Sequence, residues 1–274
     1  MELLEALFLG ILQGVTEFLP VSSSGHLVLA QELLNQNLTQ GITFEIVVHF
    51  GSFFSILIFF RRRIGEILKN LFRFLTHPAA MKSTWEKNLD VRLSFYILVS
   101  MIPAGIVGFT LKDTLEALFS NPLIVSGMLI VTGFTLFSNK FVQSGEKDVS
   151  AMRAFLVGIG QAFAMIPGIS RSGTTITLGN WLGLKRDQIA EFSFLMLLPI
   201  IAGAMLLEIL DLSEAGTTGA SLQYLSVGFL ASLISGYFSL KYLIKIFKSK
   251  GLHYFAYYCW TVGLFGLIYF GLFK

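Results

Sequence analysis

Six stretches of the sequence are long and apolar enough to cross a lipid bilayer as helices. A spanning helix needs roughly 20 mostly apolar residues, and such stretches lie at about 43–60, 93–111, 121–138, 190–210, 222–244 and 252–273. Only 14% of the residues are charged, whereas soluble domains have about 25%. The sequence therefore predicts an all-α polytopic membrane protein with six transmembrane helices, forming one membrane domain over residues 1–274.

Two further apolar segments, at about 2–35 and 153–183, are each broken near the middle. Pro20 and a serine run interrupt the first, and Pro167-Gly168 and SRSG interrupt the second. Each half is too short to span a bilayer, and proline and glycine disfavour a continuous helix. Because broken backbone at membrane depth must be covered by protein or water, we predict two re-entrant helix–loop–helix hairpins. We call residues 2–35 hairpin 1 and residues 153–183 hairpin 2.

The two hairpins resemble each other at an offset of 148 residues. The matching residues are Gly10, Ile11, Gln13, Ser22, Ser24 and Gly25 with Gly158, Ile159, Gln161, Ser170, Ser172 and Gly173. The similar phrases FEIVVHF and AEFSFLM follow and set Glu45 opposite Glu191. These matches indicate an internal repeat, with repeat 1 at about 1–138, repeat 2 at about 151–274, and a joining segment at 139–150.

Three spans in each repeat reverse the direction of the chain, so repeat 2 is expected to be inverted relative to repeat 1. Basic residues are concentrated in the linker 61–92, in 139–153, at 185–186 and in 241–250. The positive-inside rule places all of these in the cytoplasm. Both termini should then face outward, with the hairpin tips meeting inside the membrane from opposite sides, and Arg61–Arg63 should anchor at the lipid headgroups.

The basic residues lie at the ends of apolar stretches and form no patch of the kind that binds nucleic acid, so no nucleic-acid partner is predicted. The single cysteine, Cys259, excludes an internal disulfide and a cysteine-rich metal site. The chain has no GxxxxGK[ST] loop, HExxH motif or Rossmann glycine pattern. Nucleotide hydrolysis and zinc proteolysis therefore have no support.

Hairpin 1 carries Gln13 and Glu17 on one helix face, because they are four residues apart. A carboxylate at membrane depth usually faces an interior cavity. Glu17 is therefore either a packing or capping carboxylate, or a metal ligand or proton-transfer group. One serine of the run 22–24 is expected to cap the next helix.

Ser22 and Ser23 lie four and three residues before His26, on the same side of a helix that starts there. A hydroxyl beside an imidazole is a nucleophile–base arrangement. The alternative is a buried histidine whose hydrogen bonds are satisfied within the protein.

Hairpin 2 places Arg171 among hydroxyls and glycines in PGISRSGTT, residues 167–175. Helix N-termini bind anions, and the arginine fork suits phosphate. The pattern favours a phosphorylated ligand. The alternative is a structural ion pair between Arg171 and Glu17. Glu45, His49 and Glu191 are interpreted as interior polar packing.

The motifs QGVTEFLPVSSSGH and PGISRSGTT, in this order, resemble those of the undecaprenyl pyrophosphate phosphatase family linked to bacitracin resistance. The resemblance covers nearly the whole chain. It implies a bacterial plasma-membrane enzyme that hydrolyses undecaprenyl pyrophosphate to undecaprenyl phosphate and inorganic phosphate. This reaction recycles the lipid carrier for peptidoglycan synthesis. The resemblance also implies a divalent cation, Mg²⁺ or Ca²⁺, and an active site open to the outer face.

The resemblance also implies residue roles. Glu17 is catalytic or metal-associated, Ser23 and His26 are nucleophile and base in an open order, and Arg171 binds the pyrophosphate. The surrounding substrate-binding candidates are Gln13, Ser22, Ser24, Gly25, Ser170, Ser172, Gly173, Thr174 and Thr175. The family has Glu or Gln at the first motif position. Since this chain has Gln13, any cation there would have Gln13 beside Glu17 rather than two carboxylates.

Two other functions remain open from the sequence. Broken helices in inverted repeats are also a transporter architecture, so the chain could be a transporter or flippase of a phosphorylated lipid or anion. A lipid-binding scaffold without turnover is the third interpretation. The predicted partners are a polyprenyl pyrophosphate lipid substrate and the bilayer, and the oligomeric state, including a homodimer, stays open.

Overall fold

A computed structural model describes residues 3–34, 38–142, 145–203, 205–206, 222–248 and 251–273. These residues are mainly helical, and no strand occurs among them. The helices are α1 (Leu3–Phe18), α2 (Ser23–Leu33), α3 (Leu38–Thr76), α4 (Met81–Lys87), α5 (Leu89–Thr110), α6 (Lys112–Phe119), α7 (Pro122–Ser138), α8 (Ala151–Phe163), α9 (Arg171–Trp181), α10 (Arg186–Leu195), α11 (197–203), α12 (Leu222–Lys248) and α13 (Tyr254–Leu272).

Five helices in the described ranges are long and apolar enough to cross a membrane: Phe44–Thr76, Leu89–Thr110, Pro122–Phe141, Leu222–Phe247 and Gly251–Leu272. They confirm a multi-span helical protein and correspond to five of the six predicted spans. The sixth, at 190–210, is interrupted by a turn at Met196 between α10 and α11. Its residues 204 and 207–210 lie outside the described residues, so that span stays a prediction.

Both broken segments fold as two short helices joined by a turn. α1 has 16 residues and α2 has 11, while α8 has 13 and α9 has 11. Each is shorter than the roughly 20 residues that a span requires. The breaks fall at residues 19–22 and 164–170, which contain Pro20 and Pro167. The helix–loop–helix division predicted from proline and glycine is therefore present in both hairpins.

Each hairpin packs its first helix against a long helix from the other half of the chain. α1 lies along α12, and α8 lies along α5. A Cβ atom on Gly10 would lie 2.5 Å from the Gly228 carbonyl oxygen, and one on Gly158 would lie 2.2 Å from the Ser100 carbonyl oxygen. Glycine at these equivalent positions lets the helices touch backbone to backbone, as small residues do in membrane proteins.

The two turns are held by α7 and α13, which pack along each other. The Thr132 hydroxyl of α7 donates to the Gly168 carbonyl at 2.8 Å and accepts from the Ser170 N–H at 3.0 Å. In α13, the buried Cys259 sulfur lies 3.9 Å from the Pro20 carbonyl oxygen. Cys259 is thus a packing residue, and each turn has a fixed support.

The described part of the joining segment binds the end of hairpin 2. The Lys147 N–H donates to the Gly183 carbonyl at 3.0 Å, and the Lys185 N–H donates to the Lys147 carbonyl at 3.0 Å. The Lys185 ammonium also donates to the Asp148 carboxylate at 2.7 Å. This contact lowers the pKa of Asp148 and raises the pKa of Lys185. The segment therefore fixes where α9 ends and α10 begins.

The helix of the first predicted span, at 43–60, is longer than predicted: α3 continues to Thr76. Arg61 and Arg62 are exposed, in keeping with an anchoring role. Arg63 differs: it pairs with Asp90 at 2.7 Å and with Glu191 at 2.5 Å. The Arg63 side chain thus ties α3 to α5 and α10 through two carboxylates, a role that the sequence did not predict. Its position at the headgroups stays a prediction.

Candidate active site

The Glu17 carboxylate is the centre of a polar cluster where the two hairpin turns meet. Its Oε2 atom accepts from the Ser23 hydroxyl at 2.6 Å and from the Gln13 amide at 3.0 Å. Its Oε1 atom accepts from Arg171 Nη2 at 3.1 Å. Only 9% of the Glu17 side chain and 14% of the Arg171 side chain are exposed. The structure therefore brings together four of the predicted site residues from both hairpins.

The turns themselves are in contact. A Cβ atom on Gly25 would lie 3.0 Å from the Gly168 Cα atom, and the Ser172 hydroxyl lies 3.4 Å from the Leu19 carbonyl oxygen. Glycine at position 25 is thus needed for the close approach of hairpin 1 to hairpin 2. The two turns therefore lie against each other, and their meeting inside the membrane from opposite sides stays a prediction.

Matching serines cap the second helix of each hairpin. The Ser22 hydroxyl accepts from the Gly25 N–H at 3.2 Å, and the Ser170 hydroxyl accepts from the Gly173 N–H at 3.1 Å. The predicted capping serine is therefore Ser22. Ser23 and Arg171 become the first residues of α2 and α9, which are equivalent positions in the two hairpins. Both side chains bond to the same carboxylate, that of Glu17.

Ser22 has a backbone φ of 71°, and it is the one non-glycine residue with positive φ in the described part of the chain. Such a conformation costs about 1–3 kcal/mol. Its counterpart Ser170 has an ordinary φ of −75°. The Ser22 carbonyl lies 3.2 Å from the His26 backbone nitrogen and 2.8 Å from His26 Nδ1. The Ser170 carbonyl likewise accepts from the Thr174 N–H at 2.9 Å and from its hydroxyl at 2.8 Å.

His26 is bonded through both ring nitrogens. Since the Ser22 carbonyl can only accept, Nδ1 carries the proton, and Nε2 accepts from the Tyr258 hydroxyl at 2.9 Å. The two rings are parallel with centroids 5.5 Å apart. The predicted contact between a serine hydroxyl and His26 is absent from the described hydrogen bonds. The physical reason is that the cap presents the Ser22 carbonyl to the imidazole, while the Ser23 hydroxyl turns to Glu17.

The remaining hydroxyls of the motifs bond within their own turns. Thr174 donates to the Ser170 carbonyl at 2.8 Å, and Thr175 donates to the Arg171 carbonyl at 2.9 Å. The Ser24 hydroxyl lies 3.3 Å from that of Ser22, and the Ser172 hydroxyl lies 3.4 Å from that of Ser170. These bonds shape the turns, and a direct contact of these hydroxyls with phosphate stays a prediction.

Ser193 and Tyr258 are among the residues outside the predicted site that contact its members. The Ser193 carbonyl accepts from Arg171 Nη1 at 3.4 Å, and the Ser193 hydroxyl lies 2.6 Å from that of Thr175. Tyr258 bonds His26 as described above. Ser193 lies in the phrase AEFSFLM, which matches FEIVVHF after hairpin 1. The internal repeat could therefore have pointed to Ser193 as a residue near the site. Tyr258 is 232 residues from His26, and nothing in the sequence pattern joins them.

The cluster has the parts of a nucleophilic site for an anionic substrate. A serine hydroxyl that donates to a carboxylate has a base ready to accept its proton. Arg171 and the N-termini of α2 and α9 bring positive electrostatic potential to the same point.

Comparison with known proteins identifies the family. The family model described as "Bacitracin resistance protein BacA" matches residues 6–265, a range that includes both motifs and every residue of the cluster. The chain belongs to the BacA family. The membership confirms the resemblance that the two motifs indicated.

Relatives with a related sequence are similar to this chain over almost their whole length. A protein of Halothermothrix orenii named "Undecaprenyl-diphosphatase" is 41% identical over 276 residues, covering 100% of both chains. Relatives with the same name from Salinibacter ruber and Bacteroides fragilis are 39% and 40% identical, covering 96% and 98% of this chain and 97% and 98% of their own. This chain is therefore similar over almost its full length to proteins named for a diphosphatase activity.

Proposed function

We propose that this BacA-family protein hydrolyses undecaprenyl diphosphate to undecaprenyl phosphate and inorganic phosphate, which would return the lipid carrier to peptidoglycan synthesis and confer bacitracin resistance. The family match and the names of the full-length relatives support this activity. The observation that carries the proposal is the Glu17 carboxylate, which holds Ser23 and Arg171 together. A hydroxyl, its base and a phosphate-binding cation then lie at one buried point.

In the proposed reaction, Ser23 Oγ attacks the terminal phosphorus and its proton passes to Glu17 Oε2, 2.6 Å away. The bond to the bridging oxygen breaks, and undecaprenyl phosphate leaves with the proton that Glu17 returns to it. Water then attacks the phosphoserine and gives a proton to Glu17. The bond between phosphorus and Ser23 Oγ breaks, Glu17 returns the proton to Ser23 Oγ, and inorganic phosphate is released. Phosphoryl transfer depends mainly on positioning and charge neutralisation, which Arg171 and the two helix N-termini supply.

Ser23 is favoured over His26 as the nucleophile. Ser23 has a base in contact and lies beside Arg171, whereas His26 Nε2 already accepts from Tyr258. We assign His26 the role of fixing the strained cap at Ser22, which in turn sets the direction of the Ser23 side chain. Both residues are then needed, for different reasons.

The ion pair between Arg171 and Glu17, which the structural interpretation of Arg171 predicted, is present at 3.1 Å. It is compatible with catalysis, because the guanidinium has five N–H donors and only part of them is used by Glu17 and Ser193. The pair holds Arg171 in position before the substrate arrives, and the remaining donors are available to the terminal phosphate.

The residues present fit a divalent cation of the Mg²⁺ or Ca²⁺ class. The described residues contain no group of three or more His, Cys, Asp or Glu side chains that could hold a metal. However, Mg²⁺ is commonly held by one or two carboxylates together with substrate phosphates and water. Glu17 and the buried Gln13 Oε1, which has no hydrogen-bond partner among the described residues, would provide the protein ligands. Such a cation would neutralise charge on the diphosphate.

Reciprocal packing supports an inverted repeat with two re-entrant hairpins and six spans. α1 lies on α12 as α8 lies on α5, and α13 supports the first turn as α7 supports the second. The distribution of basic residues and the family resemblance support the proposal that both termini and the site opening face outward and that the segment 139–150 is cytoplasmic. Repeat 1 at about 1–138 and repeat 2 at about 151–274 then form one membrane domain.

A transporter or flippase of phosphorylated lipids is the second candidate, because broken helices in inverted repeats are typical of transporters. The test is phosphate release from undecaprenyl diphosphate by purified protein in detergent, where transport has no meaning. We expect turnover by the wild type and none by a Ser23→Ala/Arg171→Ala double variant prepared in the same way. Saturable binding without phosphate release would instead favour a carrier or a scaffold.

A further inference from the structure

Ser193 of α10 is linked to Arg171 at two points. Its carbonyl accepts from Arg171 Nη1 at 3.4 Å. Its hydroxyl lies 2.6 Å from the Thr175 hydroxyl, which in turn lies 2.9 Å from the Arg171 carbonyl oxygen. Ser193 and Thr175 are both buried. The guanidinium and the backbone of Arg171 are therefore both connected to one buried residue of another helix.

The direction of the hydroxyl bond follows from the number of protons. The Thr175 hydroxyl has one proton, and the carbonyl oxygens of Arg171 and Ser172 lie 2.9 Å and 3.4 Å from it. Because a carbonyl can only accept, the Thr175 proton goes to one of these carbonyls, and Ser193 donates to Thr175. The Ser193 hydroxyl thus binds α10 to the first turn of α9, the helix that begins at Arg171.

The residues on either side of Ser193 fix its backbone. Phe192 and Phe194 are both buried. Phe194 packs edge-on against Phe18 of hairpin 1, with ring centroids 6.3 Å apart, and Phe18 directly follows Glu17. Phe192 lies in an apolar cluster with α8, the first helix of hairpin 2. The Ser193 carbonyl is therefore held in place by contacts with both hairpins.

Two acceptors on different helices hold the Arg171 guanidinium. Nη2 donates to Glu17 Oε1 at 3.1 Å, and Nη1 donates to the Ser193 carbonyl at 3.4 Å. A planar group that is bonded through two nitrogens has a fixed plane, whereas a single bond would let it rotate. The plane matters because the arginine fork binds phosphate through two parallel N–H bonds.

We propose that Ser193 is a positioning residue, which fixes the plane of the Arg171 guanidinium so that its remaining donors face the terminal phosphate. This inference rests on the proposed function and deepens it, because it names a residue on which the phosphate-binding arginine depends. Ser193 itself takes no part in making or breaking bonds. Without its hydroxyl, the first turn of α9 loosens against α10, and the guanidinium turns away from the Ser193 carbonyl while its pair with Glu17 remains.

The first test measures phosphate release from undecaprenyl diphosphate by Ser193→Ala in detergent. Its matched control is Ser232→Ala, because that hydroxyl is also buried and donates from α12 to the Val48 carbonyl of α3 at 2.6 Å. Each change removes one buried bond between helices, so the two melting temperatures should fall by similar amounts. We expect Ser193→Ala to lower kcat about tenfold and to change KM less than about twofold, because a group that acts on developing charge is misplaced. Ser232→Ala should keep the wild-type kcat.

A second measurement reports the position of Arg171 independently of activity. Phenylglyoxal reacts with accessible guanidinium groups, and peptide mass spectrometry gives the rate of modification at each arginine. Arg171 should react several-fold faster in Ser193→Ala than in the wild type or in Ser232→Ala. Arg62, which is exposed, should react at the same rate in all three proteins and serves as the internal reference.

Three results would overturn the role of Ser193 while leaving hydrolysis intact: a wild-type kcat in Ser193→Ala, equal losses of kcat in the two variants, or an unchanged rate of Arg171 modification. Wild-type protein that releases no phosphate would contradict the proposed function instead. The modification rates would still decide in that case whether Ser193 holds Arg171 in position.

Discussion

Arg171 Nη2 lies 3.1 Å from Glu17 Oε1, so a residue of hairpin 2 is bonded to a residue 154 positions earlier in hairpin 1. Neither turn contains a complete site. Hairpin 1 has a hydroxyl and a carboxylate but no cation, and hairpin 2 has a cation but no carboxylate. The site therefore exists only because the two turns meet.

The ion pair makes a prediction about stability. Glu17→Ala or Arg171→Ala alone leaves a buried charge without its partner, which costs about 3–5 kcal/mol, so each should lower the melting temperature clearly. The double variant removes both charges and should recover much of that loss. All three variants should lack phosphate release. Thermal unfolding in detergent and the phosphate assay measure the two properties separately.

Lys112→Ala is the control for this comparison, because its pair with Glu116 is exposed and 3.9 Å long. Exposed pairs contribute about 0–1 kcal/mol, so its melting temperature should be close to that of the wild type. A double variant that regained phosphate release would show that the pair is structural only.

Ser23 and Ser24 are adjacent, yet they should respond differently to substitution. The Ser23 hydroxyl donates to Glu17, whereas the Ser24 hydroxyl lies beside the capping Ser22. Ser23→Ala removes the proposed nucleophile and should abolish measurable phosphate release. Ser24→Ala should cost less than about tenfold in kcat, because a net hydrogen bond contributes only about 0.5–1.5 kcal/mol. Similar losses in the two variants would remove the distinction on which the mechanism depends.

The support beneath hairpin 2 can be tested at Thr132. Its hydroxyl bonds both the Gly168 carbonyl and the Ser170 N–H inside the protein. Thr132→Val keeps the shape but leaves buried polar groups unpaired, at a cost of about 1–3 kcal/mol. We expect a lower melting temperature and a lower kcat, because the cap that positions Arg171 loosens. Thr135→Val is the control, since that hydroxyl bonds only the Val131 carbonyl of its own helix, and equal effects would refute the support.

Much of the site could be predicted because it follows local rules. Proline and glycine mark where each hairpin breaks, and serine marks where the next helix begins. The offset of 148 residues by itself aligns Ser23 with Arg171. Glu17 at membrane depth needed a partner, and Arg171 was the cation in the matching turn. These inferences depend on residue type and spacing alone.

Other features depend on contacts that no spacing encodes. Ser22 has a strained φ of 71°, and the imidazole of His26 meets the Ser22 carbonyl rather than a serine hydroxyl. Tyr258 reaches His26 from the last helix, and Arg63 finds carboxylates on α5 and α10. The headgroup prediction for Arg63 came from hydropathy, which indicates whether a segment lies in the membrane. Hydropathy does not indicate which carboxylates an arginine in that segment will pair with.

The most direct measurement is steady-state phosphate release from undecaprenyl diphosphate by purified wild-type and Arg171→Ala proteins in detergent. Arg171 is the residue through which hairpin 2 completes the site. Removing a group that stabilises developing charge costs about 10²–10³-fold in kcat, and we predict a loss of at least that size for Arg171→Ala. An Arg171→Ala protein that is folded and retains most of the wild-type rate would contradict the two-hairpin site.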